Sequence, residues 1–172
     1  MSESLVITFV GVDRPGIVQE LTALVREHEG NWLESKMTRM AGKFAGIAMV
    51  EIRTEALEGL TTAFQDIPEM SVMCESTGRQ GSDAGALGYQ LNIVGLDRLG
   101  ILQEVTKELS VKQINVIDLD TRVAAAPMSG DKMFYADASV LVPSSVDLVN
   151  LHERLDVIAD NLGVDILLEL LD

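Results

Sequence analysis

The order of apolar and polar residues divides the first part of the chain into strands and helices. An unbroken apolar run at 5–10 is typical of a strand buried in the middle of a sheet. Apolar residues at helical spacing follow it, in one stripe that includes Ile17, Leu21 and Val25. The elements predicted after this helix are strands at 31–40 and 44–52, a helix at 56–66 and a strand at 70–75.

The second part of the chain repeats this order. An apolar run at 89–94 predicts a strand, and Leu102, Val105 and Leu109 form the stripe of the helix after it. The remaining predicted elements are strands at 115–125 and 132–142, a helix with an apolar stripe from Leu148 to Leu162, and a strand at 164–170.

Several residues mark the ends of the predicted helices. Gly30 and Gly163 follow helical stripes and suit the left-handed conformation in which many helices end. Ser144 or Ser145 stands before the last helix, where a hydroxyl can accept a hydrogen bond from the first turn. We therefore expect these residues to cap the helices.

The order strand-helix-strand-strand-helix-strand in each half predicts an α+β fold with two ferredoxin-like βαββαβ domains and antiparallel sheets. The segment 77–88 is rich in glycine and poor in apolar residues, which is typical of a flexible linker. The predicted domains are therefore residues 1–76 and 89–172. The strand at 44–52 is apolar on both faces, so the face without helices is expected to contact the other copy or another subunit.

A repeated motif supports duplication of one module. Residues 11–22 and 95–106 can be aligned without gaps, and eight of the twelve pairs are identical. Asn31 and Asn115 correspond at the same spacing. Chance does not easily produce such a match, and two copies are too few for a solenoid.

The repeated motif lies where the first strand of each half turns into a helix. The N-terminus of a helix has unpaired N–H groups and a partial positive charge, and it can hold a carboxylate. Gly16 and Gly100 allow a ligand to approach the backbone closely, and Asn31 and Asn115 offer amide donors and an acceptor. This chemistry suits a free amino acid, which carries both a carboxylate and an ammonium.

Structural explanations of the same residues remain open. Asp13 and Asp97 can cap the helices, and the two glycines can serve a tight turn. Arg14 and Arg98 can lie on the surface without a ligand.

Composition limits the classes of function. The net charge of −14 opposes binding to nucleic acid or to an anionic membrane, so no direct contact with either is expected. Cys74 is the only cysteine and cannot form an internal disulfide. The first residues lack the basic region of a signal peptide and no apolar run could span a bilayer, so a cytoplasmic location is expected.

The motif at 12–18 together with Gly30 and Asn31 resembles the signature of the ACT domain. Two such domains without an attached enzyme are similar to the family of glycine cleavage system transcriptional repressors. The resemblance implies a small amino-acid ligand (glycine or similar), bound between paired domains, and a regulatory protein partner such as a transcriptional activator. A homo-oligomer is also compatible with it. The ligand-binding residues that the resemblance implies are Asp13, Arg14, Gly16 and Asn31, with Asp97, Arg98, Gly100 and Asn115.

The second copy departs from this signature. Leu99 stands in place of Pro15, and Ile114 stands in place of Gly30. The two loops can therefore differ in ligand binding.

No catalytic, metal or cofactor site is predicted. His28 and His152 have no acid or cysteine at metal or triad spacing, and Cys74 lies in an apolar strand. Asp118 and Asp120 share a strand face, but no further metal ligand accompanies them.

Three functions remain after these exclusions. The first is a non-enzymatic amino-acid sensor, and the second is a regulatory subunit of an amino-acid metabolic enzyme. The third is an enzyme of the acyl phosphatase type, which needs an arginine and an asparagine beside a phosphate-binding loop, as Arg14 and Asn31 would provide.

Overall fold

The computed structural model describes residues 1–77 and 85–171. Residues 78–84, which form most of the predicted linker, lie outside the described residues, as does residue 172. Contacts between Cα atoms divide the chain into two compact units, Met1–Gly81 and Ser82–Asp172, which we call unit 1 and unit 2.

Unit 1 contains a four-stranded antiparallel sheet with the strand order β2-β3-β1-β4. A short 3-10 turn at Thr54–Ala56 precedes its second helix. Its elements are β1 (Ser2–Val12), α1 (Ile17–Glu27), β2 (Asn31–Met40), β3 (Lys43–Arg53), α2 (Leu57–Gln65) and β4 (Met70–Ser76).

Unit 2 repeats this topology with the strand order β6-β7-β5-β8. The fold class predicted from the sequence, two ferredoxin-like βαββαβ domains with antiparallel sheets, is therefore confirmed. The elements of unit 2 are β5 (Ala86–Leu96), α3 (Ile101–Val111), β6 (Asn115–Ala125), β7 (Lys132–Pro143), α4 (Leu148–Leu162) and β8 (Val164–Leu170).

The core of each unit lies between the helices and one face of the sheet. In unit 1, alternate residues of β1 point inward and pack with the apolar stripes of α1 and α2, as the period of two along a strand requires. The completely or almost completely buried residues from these three elements are Leu5, Ile7, Phe9, Ile17, Leu21, Val25, Leu60 and Phe64.

Two predicted helix caps differ from the structure. Asp147, rather than Ser144 or Ser145, caps α4, and its carboxylate accepts hydrogen bonds from the backbone of Val149 and Asn150 at 3.0 and 3.3 Å. The helix begins later than the serines because Val146 first closes a turn onto the carbonyl of Pro143. The cap at Gly163 is confirmed, with φ 63°.

The prediction that Gly30 provides the left-handed end of α1 is wrong. Glu29 adopts that conformation instead, with φ 57°. Gly30 is needed for a different reason, because a Cβ at this position would lie 2.9 Å from the Cγ1 atom of Val25. In unit 2 the left-handed residue is Gln113, and the buried Ile114 follows it.

The sheet face without helices differs between the units, and we call it the open face. In unit 1 its centre is apolar: Thr8 lies beside Ile47 and Met73, whose exposed fractions are 47% and 59%. In unit 2 the positions equivalent to Thr8 and Ile47 are Asn92 and Asp137, which are joined by a hydrogen bond of 2.6 Å. The centre of the open face is therefore largely apolar in unit 1 and polar in unit 2.

Candidate functional site

The loop between β1 and α1 (residues 13–16, loop 1) leaves the N-terminus of α1 without a side-chain cap. Gly16 is the N-cap, with φ 89°, and no side chain accepts a hydrogen bond from the first turn. The first bond of the helix runs from the N–H of Glu20 to the carbonyl of Gly16, at 2.9 Å. The preceding N–H groups of the first turn have no partner within the helix, as at any helix start.

Open space lies above Gly16. A Cβ added at Gly16 would meet nothing within 4 Å, although its left-handed backbone would strain any other L-residue. The conformation explains why the turn needs a glycine, and the open space leaves the backbone accessible. The left-handed turn by itself explains this glycine, and its role in ligand binding stays a prediction.

A solvent-open pocket of about 300 Å³ adjoins this loop. Its floor combines polar side chains of the loop with the first turn of α1 and an aromatic ring from β3. Such a mixture of charged groups, backbone and apolar surface suits a small polar ligand. The lining residues are Asp13, Arg14, Gly16, Ile17, Val18, Gln19 and Phe44.

Two ion pairs hold the charged residues of loop 1. Asp13 pairs with Arg39 of β2 at 2.6 Å rather than capping α1. Arg14 pairs with Glu20 of α1, and both side chains are about one-third exposed. Glu20, Arg39 and Phe44 are not among the site residues predicted from the sequence. Glu20 does recur as Glu104 within the repeated motif, which is the signal that could have identified it.

The loop between β5 and α3 (residues 97–100, loop 2) repeats this backbone geometry. Gly100 is the N-cap of α3 with φ 94°, again without a side-chain cap, and a Cβ there would meet nothing within 4 Å. The N–H of Asp97 donates to the carbonyl of Lys132 at 2.8 Å. Arg98 lies beside Gly163, with its Nη2 atom 3.6 Å from the place of a Cβ on that glycine.

The two asparagines lie at the other end of the sheet from the loops of their own units. Asn31 pairs with Glu51, which in turn pairs with Ser4 near the start of β1, whereas loop 1 follows Val12 at the end of β1. Ser4 and Val12 are eight residues apart along β1, which corresponds to roughly 26 Å. Asn115 has the equivalent position beside Leu141 in unit 2. Neither unit therefore brings its asparagine to its own loop, and a role for Asn31 and Asn115 in ligand binding stays a prediction.

The same separation contradicts the acyl phosphatase hypothesis. That chemistry needs Arg14 and Asn31 beside one phosphate, but the sheet of unit 1 places them at opposite ends.

Other reactive side chains are already engaged or shielded. Burial raises the pKa of the Cys74 thiol, and a hydrogen bond with Thr61 lowers it by a smaller amount. The Nδ1 atom of His28 lies 2.8 Å from the carbonyl oxygen of Leu24 on the same helix.

Among residues 1–77 and 85–171, no group of three or more histidine, cysteine or acidic side chains could hold a metal ion. Within the same residues, no helix is long and apolar enough to cross a bilayer.

Solved structures share this architecture along the whole chain. The crystal structure of an unknown protein from Galdieria sulphuraria has a TM-score of 0.88 and 26% sequence identity, and the match covers 100% of both chains. A protein described as a candidate glycine cleavage system transcriptional repressor has a TM-score of 0.74 and 22% identity, over 100% of this chain and 99% of the other. At that identity the second likeness shows the fold alone.

Sequence comparisons identify the family. The family model of the ACT domain matches residues 3–73, which include loop 1. A UPF0237 protein from Methanococcus maripaludis is 31% identical over 91 residues, which is 53% of this chain and 86% of the relative. The chain therefore belongs to the UPF0237 family of this relative, and its residues 3–73 form an ACT domain.

Proposed function

We propose that this chain is a non-enzymatic, cytoplasmic sensor of a small amino acid, glycine or a similar one, and that it regulates a protein partner. The observation that carries the proposal is the pair of loops at Gly16 and Gly100. Both loops adopt the same left-handed turn, leave a helix N-terminus without a side-chain cap, and have open space above the glycine.

The chemistry of loop 1 suits a zwitterion. The N–H groups at the start of α1 can donate to a carboxylate, and the positive end of the helix dipole favours it. Asp13 lines the same pocket and carries a carboxylate that can accept from an ammonium. Arg14 adds a cation that prefers carboxylates as partners. An amino acid with a small side chain can approach the backbone of Gly16 closely, which favours glycine or a similar ligand.

Calorimetry and thermal unfolding test ligand binding directly. We expect glycine, or another small amino acid such as serine, to release or absorb heat and to raise the unfolding temperature. A ligand that binds only the folded state stabilises it by about 2.7 kcal/mol at a hundred times its dissociation constant. Methylamine and acetate, each of which carries only one of the two charged groups, should give smaller shifts. If none of the amino acids produces heat or a shift, the chain is not an amino-acid sensor.

The proposed partner is a regulatory protein such as a transcriptional activator. The description of one structural relative as a candidate glycine cleavage system repressor supports this choice. The net charge of −14 supports action through a protein instead of direct contact with nucleic acid. Immobilised protein, with and without glycine, should retain a transcription regulator from a lysate of the source cells.

The same capture experiment distinguishes the alternative function. If the retained protein is an enzyme of amino-acid metabolism, the chain is a regulatory subunit of that enzyme. Both functions need ligand binding at the loops, so the identity of the partner separates them.

A further inference from the structure

The arginine of the repeated motif lies in a different place in each unit. Arg14 is paired with Glu20 in the first turn of α1. Arg98, its counterpart in loop 2, lies beside Gly163 at the C-terminal end of α4. Glu104 is the counterpart of Glu20, so both copies contain the arginine and the glutamate at the same spacing. The motif is therefore compatible with two positions of its arginine.

The position of Arg14 in unit 1 affects the pocket beside Gly16. Arg14 lines that pocket, and the carboxylate of Glu20 already occupies part of its guanidinium group. A ligand carboxylate would use the same donors, since arginine binds carboxylates through its paired N–H groups. Glu20 and the ligand therefore compete for one cation.

The ion pair is weak enough to be exchanged. The side chains of Arg14 and Glu20 are 37% and 36% exposed, so solvent screens their attraction. Exposed pairs of this kind contribute little free energy compared with the binding of a ligand that makes several hydrogen bonds. The pair can lower affinity without preventing binding.

We propose that Glu20 is an internal competitor that occupies Arg14 and sets the affinity of loop 1 for a carboxylate ligand. This inference rests on the proposed function, because it assigns a control element to the same site. Arg98 lies beside Gly163, so Glu104 does not restrain loop 2 in the same way.

The test compares Glu20→Gln with its counterpart Glu104→Gln, using glycine as the probe. Glutamine keeps the size and helix preference of glutamate but removes the charge. Amide chemical shifts of Gly16 and Gly100, followed by NMR during the titration, report the two loops separately. We expect Glu20→Gln to tighten glycine binding at Gly16 about two- to five-fold, the range set by an exposed ion pair. Glu104→Gln should leave the affinity at Gly100 unchanged.

A double-mutant cycle shows whether Glu20 acts through Arg14. In an Arg14→Gln background, adding Glu20→Gln should no longer tighten glycine binding. A general loosening of the helix start would act in both backgrounds, and thermal unfolding would detect any loss of fold.

The outcomes separate the two proposals. If wild-type protein binds glycine but Glu20→Gln does not tighten it, or tightens it equally without Arg14, the competitor proposal is wrong and the sensor proposal stands. If wild-type protein binds neither glycine nor serine at either loop, both proposals are wrong.

Discussion

Gly16 and Gly100 hold the two loops in a left-handed conformation that side chains disfavour. Their φ angles are 89° and 94°, and a Cβ on either would strain the backbone by about 1–2 kcal/mol. Because such a Cβ would meet no atom within 4 Å other than those of the adjoining backbone and its chain neighbours, a larger side chain would extend into the space proposed for the ligand. A substitution therefore acts on stability through strain and on binding through occupied space.

Gly16→Val should abolish glycine binding at loop 1 while unit 1 remains folded but less stable. The valine methyl groups would fill the space above the helix start, and calorimetry should show loss of the first site. Gly130→Val is the matched control, since Gly130 has φ 75° and equally open surroundings but lies in the β6–β7 turn of unit 2. It should lower stability to a similar extent without changing glycine binding. An unchanged affinity in Gly16→Val would show that the loop glycine is structural only.

Cys74 should react slowly with thiol reagents in the folded protein. Its pKa is raised by burial, so less thiolate is present at neutral pH than in the unfolded chain. The rate of reaction with a disulfide reagent should increase with pH in both states. This increase should occur at a higher pH in the native protein than in the protein unfolded in urea. The sign is fixed, since burial disfavours the charged form. Coincident pH profiles in the two states would contradict this account.

At the scale of the elements, the start of α4 shows how a local hydrogen bond decides where a helix begins. Asp147 accepts from Val149 and Asn150, whereas Ser144 and Ser145 lie in the turn before it. A carboxylate at this position also interacts favourably with the helix dipole.

Asp147→Ala should lower the free energy of unfolding of unit 2 by about 1 kcal/mol, the usual effect of losing an N-cap. Ser145→Ala, two residues earlier, should change the free energy of unfolding by only a few tenths of the change caused by Asp147→Ala. Urea unfolding followed by probes in each unit would measure both variants. If both variants lower the free energy of unfolding equally, the result would support the serine cap predicted from the sequence.

The elements predictable from the sequence are those with strong periodic signals. The apolar stripes of α1 and α3 and the apolar runs within β1 and β5 are examples, since each lies inside the element that it predicts. The cap of α4 and the left-handed Glu29 are not predictable in this way, because several residues compete for one local conformation. The start of β5 at Ala86, three residues before the predicted strand, also depends on its pairing with Pro143.

The candidate site was predictable only in part for a similar reason. The repeated motif identifies both loops, but strand register decides what lies near them. Register brings Phe44 and Arg39 towards loop 1 and takes Asn31 to the other end of the sheet. Such long-range pairings have no signal in the local spacing of residues.

At the scale of the whole molecule, duplication has kept the loops alike while the open faces have diverged. Val6 and Thr8 of unit 1 correspond to Gln90 and Asn92 of unit 2. In unit 2 both amides are hydrogen-bonded to β7, since Gln90 accepts from Ser139 and Asn92 donates to Asp137. The loops share backbone geometry, whereas the open faces do not share chemistry.

This divergence predicts that an apolar fluorescent dye binds mainly to the open face of unit 1. Met73 and Leu167 are the matched positions, because they pair with Thr8 and with its counterpart Asn92, and they are 59% and 52% exposed. Met73→Gln should reduce dye fluorescence markedly, since it interrupts the apolar surface around Thr8 and Ile47. Leu167→Gln should have little effect, because Leu167 is isolated among polar neighbours. Equal reductions would mean that side-chain exposure alone, and not continuity of the apolar surface, determines dye binding.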